Sequence, residues 1–303
     1  MNSLEQLAKY TTIVADTGDL VAIKRWKPID ATTNPSLITA AFADGIDDEL
    51  LAKIRHLDIQ TAIDTLTVEL GVRISQQISG RVSTEVDARL SFDTEATVAK
   101  ALQYIEQYAK SGISSQRVLI KIAATYQGIK AAEILEKQGI GCNLTLLFTD
   151  TQAHACADAG VTLISPFVGR ITDWQKRHHN LDAIATDDDM GVQSVKRIYQ
   201  YYKEHGYQTQ VMGASFRNID QIIALAGCDL LTISPALLEA LAASSLPVVP
   251  RLHNQPASKP RLTPLSQTDF VKSQDKHPLN ELLLAGIDGF ITARDKLAKQ
   301  LTG

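Results

Sequence analysis

Short apolar runs alternate with longer amphipathic segments along almost the whole chain. The runs with strand composition are TTIVAD (11–16), ATTN (31–34), GRVSTEVD (80–87), RVLIKIA (117–123), CNLTLLF (142–148), VTLISPF (161–167), TQVMGAS (209–215) and LLTIS (230–234). Between them lie segments such as TEATVAKALQYIEQYAK (94–110), whose apolar residues recur at helical spacing. Strands alternating with helices in this way predict an α/β fold closed as a parallel (α/β)8 (TIM) barrel. A doubly wound open sheet is the rival, but no glycine-rich nucleotide fingerprint follows the first strand. The 34-to-80 interval is too long for one crossover and is expected to carry extra helices. Residues 252–268, rich in proline and polar groups, read as an extended connector, and 279–301 as a final amphipathic helix outside the barrel repeat. The chain is thus read as one barrel domain over 1–303, with 252–303 forming a connector and C-terminal helical extension.

The fourth run breaks its own pattern. Val118, Leu119, Ile120 and Ile122 suit a strand covered on both faces, whereas a buried ammonium at Lys121 is costly unless paired or neutralised. Period-2 alternation with Lys121 inward puts Leu119 and Ala123 beside it and sends Ile120 and Ile122 to the helix layer. The same reading groups Thr12, Val14 and Asp16 on the first strand and Ser83, Glu85 and Asp87 on the third. On the fifth it sets Asn143 and Thr145 opposite Leu144 and Leu146; on the seventh it groups Gly213, Ser215 and Arg217. Most of these polar residues sit late in their strands, at the end that carries the active site of an α/β barrel. A lone buried lysine is more often a satisfied ion pair than a catalyst, but convergence of carboxylates, amides and hydroxyls weakens that reading. At the reference pKa only about 0.04% of a lysine is neutral at pH 7, so its surroundings must help it become a nucleophile. Lys121 is read as a Schiff-base lysine.

A formal net charge of −4 without a basic block argues against nucleic-acid or membrane-surface binding. A phosphate-bearing small molecule remains open to capture by a few local cations. Cys142, Cys156 and Cys228 show no C-x-x-C spacing and read as core residues of a reducing compartment. No apolar stretch approaches the ~18 residues of a membrane span, and the N-terminus lacks a signal-peptide layout. A cytoplasmic location is expected.

The stretches VADTGD (14–19), DATTNPSL (30–37), GRVSTEVDARLSFDTEA (80–96), LIKIAATYQGI (119–129), GCNLTLLF (141–148), LISPFVGRITDW (163–174) and VMGASFRN (211–218) resemble transaldolase, in order and over most of the chain. The long-chain form is the nearest match. The resemblance implies a covalent class I aldolase mechanism, no metal or organic cofactor, a place in the pentose phosphate pathway and a homodimer. It assigns Lys121 as the Schiff-base lysine and Asp16 as the acid/base for carbon–carbon cleavage. Glu85 would work through a water during imine formation, with Thr145 beside it. Thr32, Asn34, Asn143 and Ser165 would hold substrate hydroxyls, and Phe167 would line the pocket. Arg170, Ser215 and Arg217 would form the phosphate site. Two departures stand out: AATY follows the lysine where ASTW is expected, giving Ala124 and Tyr126, and the 34-to-80 region is short.

The implied reaction interconverts sedoheptulose 7-phosphate and glyceraldehyde 3-phosphate with erythrose 4-phosphate and fructose 6-phosphate. A simple aldolase of the fructose 6-phosphate aldolase kind is the nearest rival; length and Phe167, where those relatives tend to carry tyrosine, favour transaldolase. An inactive sugar-phosphate-binding barrel would not need Lys121, Glu85 and Asp16 together. A pyridoxal-phosphate enzyme would be visibly yellow. His178 and His179 read as a solvated loop, and TDDDMG (186–191) as acidic residues that favour the N-terminus of a helix beginning near Gly191 through its macrodipole. Trp26 and Trp174 read as packing residues.

Overall fold

The computed structural model describes residues 1–43 and 45–302. Strands β1 (Thr12–Asp16), β2 (Asp30–Thr32), β3 (Val82–Glu85), β4 (Val118–Ala123), β5 (Cys142–Leu147), β6 (Leu163–Pro166), β7 (Gln210–Gly213) and β8 (Leu230–Ile233) follow the eight predicted runs. They pair in parallel in chain order, and β8 closes onto β1. Their outward faces, such as Ile120, Ile122 and Leu144, pack with the helix ring in one large apolar core. That covering on both sides explains the continuous apolar runs.

The barrel interior is stacked in layers. At the N-terminal end Arg81 donates to Asp30 Oδ2 (3.1 Å) and Gln210 Oε1 (2.9 Å). Above it Val14, Leu119, Leu163, Met212 and Leu230 form a buried apolar plug. Above the plug, the next inward positions on most strands carry polar groups, so the polar chemistry is confined to the C-terminal mouth.

Strand β7 departs from the alternation read from sequence. Met212 faces inward, and Gly213 faces the helix layer, where an added Cβ would press on Leu231 and Phe216. The strand ends at Gly213, and Ser215 adopts a left-handed φ of 62°. Ser215 and Arg217 therefore reach the mouth from a loop and not as strand residues. In β5 a register shift between Leu144 and Leu147, with Leu146 at φ 55°, turns Leu146 away from the outer layer. It joins Phe148, Phe167 and Phe290 in a second cluster at the mouth.

The 34-to-80 interval holds three helices, Pro35–Ala41, Asp48–Ile54 and Ile59–Ser75. Residues 244–266 carry neither helix nor strand, so the connector begins earlier than composition suggested. It ends at a helix missed from sequence, Gln267–Lys276, capped by Ser266 accepting from Asp269 N at 3.1 Å. His178 and His179 lie in the last turn of the helix Gly169–His179, not in a loop, and His178 stacks on buried Trp174 at 4.2 Å. The acidic run does precede a helix, Met190–Glu204, and Asp189 caps it by accepting from Gly191 N and Val192 N.

The terminal helix, Asn280–Thr302, crosses the mouth. Arg294, 6% exposed, pairs with Asp64 at 2.7 Å and Asp87 at 2.9 Å, and Thr39 donates to the Ala293 carbonyl at 3.0 Å. Asp64 keeps Lys100 and the Tyr104 hydroxyl, and Asp87 keeps Arg89, so losing Arg294 removes charged hydrogen bonds without stranding either carboxylate. Arg294→Ala is therefore expected to cost roughly 1.5–3 kcal/mol in denaturant unfolding. A loss within about 0.5 kcal/mol, the range of ordinary surface substitutions, would show that the pair does not anchor the helix.

Candidate active site

Lys121 sits in the middle of β4 with both neighbouring strands bonded to it, and is 5% exposed. Its Nζ donates to the Thr33 carbonyl at 3.0 Å and lies 3.1 Å from Glu85 Oε2, across the β3–β4 pair. That contact is an ion pair off the hydrogen-bond direction, and Glu85 Oε2 makes no hydrogen bond among the described residues. Thr145 Oγ1 is likewise buried and has no partner among the described residues. Burial, only partly offset by Lys121, raises the Glu85 pKa above the usual carboxylate range.

Asp16 ends β1. Its Oδ1 accepts from Thr32 Oγ1 at 2.9 Å, and Thr32 Oγ1 lies 2.7 Å from Thr232 Oγ1. Since Thr32 has one proton to give, Thr232 donates to Thr32 and Thr32 to Asp16. Burial raises the Asp16 pKa, with Lys121 and the Thr32 bond opposing. Two carboxylates that take up protons more readily than usual are suited to acid/base work near neutrality.

This raised value carries a stability consequence. A folded pKa above the ordinary value lets the native state bind the proton more readily, so stability is lost as pH rises through it. Asp16→Asn cannot ionise and escapes that loss. We expect the variant to melt higher than the unaltered protein at pH 8, with the gap narrowing toward pH 4. A gap that stays constant between pH 4 and pH 8, or that moves in the variant's favour toward pH 4, would contradict the raised pKa.

The remaining predicted residues gather around a cavity of about 210 Å³ lined by Asp16, Thr32, Asn34, Lys121, Thr145 and others. Ser165 and Phe167 reach it from β6 and its end, and Arg170, Ser215 and Arg217 from the rim. Asn143 is fully buried beneath; it donates to Ser83 Oγ at 3.1 Å and accepts from Ser165 Oγ at 2.7 Å. Asn34 caps the helix Pro35–Ala41, accepting from Leu37 N at 3.0 Å, which fixes its side chain at the rim. Arg170 opens the helix Gly169–His179, its guanidinium 5.1 Å from the Phe167 centroid. Burial, then the Arg217 charge, lowers its pKa from the ordinary guanidinium value. Arg217 pairs with Asp173 at 2.7 Å and donates weakly to Ser215 Oγ at 3.4 Å. Gly169 leaves no room for a Cβ against the Ser215 carbonyl and Arg217, so this rim closes only with glycine there. Two cations and a helix N-terminus on one rim have the chemistry to attract an anion.

A larger hollow of about 890 Å³ opens at the opposite end, beside Trp26, Tyr199 and Asp229, and contains none of these residues. Chemistry, not size, picks out the mouth. Among the described residues no helix is long and apolar enough to cross a membrane. Sequence reasoning missed Thr232, the Thr33 carbonyl and Phe290 of the terminal helix. Thr232 was within reach of the alternation argument on β8; a backbone carbonyl and a distant helix carry no such signal.

The fold and mouth together define a barrel enzyme built around a buried lysine and two desolvated carboxylates. The chain matches the family model described as Transaldolase/Fructose-6-phosphate aldolase over residues 13–301. It is 52% identical to the transaldolase of Vibrio cholerae over 307 aligned residues, covering 98% of this chain and 97% of the relative. Identity is 52% to the transaldolase of Alteromonas mediterranea (99% and 98% covered) and 51% to that of Glaesserella parasuis (99% of each). The chain belongs to the transaldolase/fructose-6-phosphate aldolase family. Its departures lie away from the cavity: Ala124 is fully buried in the outer core, and Tyr126 packs on Phe270 at 5.5 Å.

Proposed function

We propose that this enzyme is a transaldolase that moves a dihydroxyacetone unit between sugar phosphates, with Lys121 as the covalent carrier. The observation that carries the reading is the buried Lys121 amine beside Glu85, in a cavity shared with Asp16. Lys121 adds to the C2 ketone of fructose 6-phosphate or sedoheptulose 7-phosphate, and the carbinolamine loses water to give an iminium. Glu85, with Thr145, passes the protons of that step through a water. Asp16 removes the C4 hydroxyl proton; the C3–C4 bond breaks, and its electron pair moves to the iminium. The aldose phosphate, erythrose 4-phosphate or glyceraldehyde 3-phosphate, departs and a second one accepts the three-carbon unit. Thr32, Asn34, Asn143 and Ser165 hold hydroxyls, directly or through one another, and Phe167 walls the pocket. The family reading also carries a cytoplasmic homodimer, which sedimentation equilibrium checks for oligomeric state.

A coupled assay with fructose 6-phosphate and erythrose 4-phosphate tests the activity. Transfer without matching release of free dihydroxyacetone supports it; release alone would favour the simple-aldolase rival. Arg170, Ser215 and Arg217 take the phosphate. Arg170→Ala or Arg217→Ala is expected to lower kcat/KM for phosphorylated substrates by roughly 1.5–3 kcal/mol. Unphosphorylated sugars should change much less, and equal losses on both would count against a phosphate site there.

A further inference from the structure

The terminal helix gives the mouth a side chain that no strand supplies. Phe290 is 5% exposed, and its ring centroid lies 5.8 Å from Lys121 Nζ and 5.9 Å from Arg170 Cζ. One apolar ring therefore faces both ends of the proposed substrate path and lines the same cavity as Asp16 and Phe167. Its position is fixed on either side. Arg294, one turn later, is tied to Asp64 and Asp87. Gly286, one turn earlier, lets the helix press down: a Cβ there would stand 2.6 Å from Leu146 Cδ2 and 3.0 Å from Arg170 Nη1.

We propose that Phe290 sets the ratio of transfer to hydrolysis by shielding the three-carbon intermediate on Lys121 from water; this rests on the Schiff-base reading above. After cleavage the bound unit is an enamine. Its loss requires a proton from water on the enamine carbon, which regenerates an iminium. A second water then adds at C2, the carbon–nitrogen bond breaks, and free dihydroxyacetone leaves with Lys121 restored as the amine. In transfer the enamine carbon instead attacks the incoming aldehyde, and water at C2 later releases the new ketose. Protonation of the enamine carbon is thus the step that separates the outcomes. A phenyl ring has no proton to give and occupies the space a donating water would need.

The test compares Phe290→Ala and Phe290→Leu with the unaltered enzyme, given fructose 6-phosphate with and without erythrose 4-phosphate. Dihydroxyacetone released per transfer event is expected to rise about tenfold in the alanine variant and less in the leucine variant, which keeps most of the bulk. Both should still form a borohydride-trapped adduct on Lys121. If release and transfer fall together at a fixed ratio in the leucine variant, Phe290 serves only to pack the helix and the inference is overturned. An unaltered enzyme that traps no adduct on Lys121 would instead overturn the Schiff-base reading on which it rests.

Discussion

Lys121→Met is expected to fold and to lose transfer by about 10⁴-fold or more, because the covalent path has no other carrier. Methionine matches the length of the lysine stem and suits a slot only 5% exposed. Losing the cation should not strand Glu85 as a buried charge. Burial already raises its pKa and Lys121 is the main opposing influence, so removing the cation shifts Glu85 further toward its neutral form. A melting curve near that of the unaltered protein, together with loss of coupled turnover, is the predicted pair of results. Turnover within about tenfold of the unaltered enzyme would remove Lys121 from the mechanism.

Asp16→Asn separates cleavage from imine formation. Asparagine keeps the size of Asp16 and can still accept from Thr32, but it cannot take up a proton. Lys121 should still condense with fructose 6-phosphate, while carbon–carbon cleavage slows by about 10²-fold or more. Borohydride should then trap the whole hexose phosphate, whereas the unaltered enzyme gives a larger share of the three-carbon fragment. No adduct at all would assign Asp16 to imine formation or folding. A three-carbon adduct at the normal rate would mean that another group removes the hydroxyl proton.

What could be read from the sequence follows the reach of each signal. The eight strands were legible because a strand covered on both faces needs a continuous apolar run, and Lys121 stood out against that background. Alternation also placed Asp16, Glu85, Asn143 and Thr145 on the inner face, because β1, β3 and the start of β5 are regular. It failed where the backbone leaves regular geometry. The left-handed Ser215 ends the period of β7, and the shift around Leu146 breaks that of β5. The terminal helix was legible as a helix, but nothing local says that it lies across the mouth. That placement depends on Arg294 meeting Asp64, which is 230 residues away. The phosphate role of the rim was read from resemblance, since Arg170 opens a helix after β6 and Arg217 lies in the loop after β7, and only the closed barrel brings them together.

The covalent role of Lys121 is tested by borohydride reduction of the protein in the presence of fructose 6-phosphate, followed by peptide mass analysis. A single modified lysine, Lys121, carrying a sugar-derived adduct is the expected result. A modified lysine elsewhere in the chain, or no adduct from protein that is active in transfer, would contradict it.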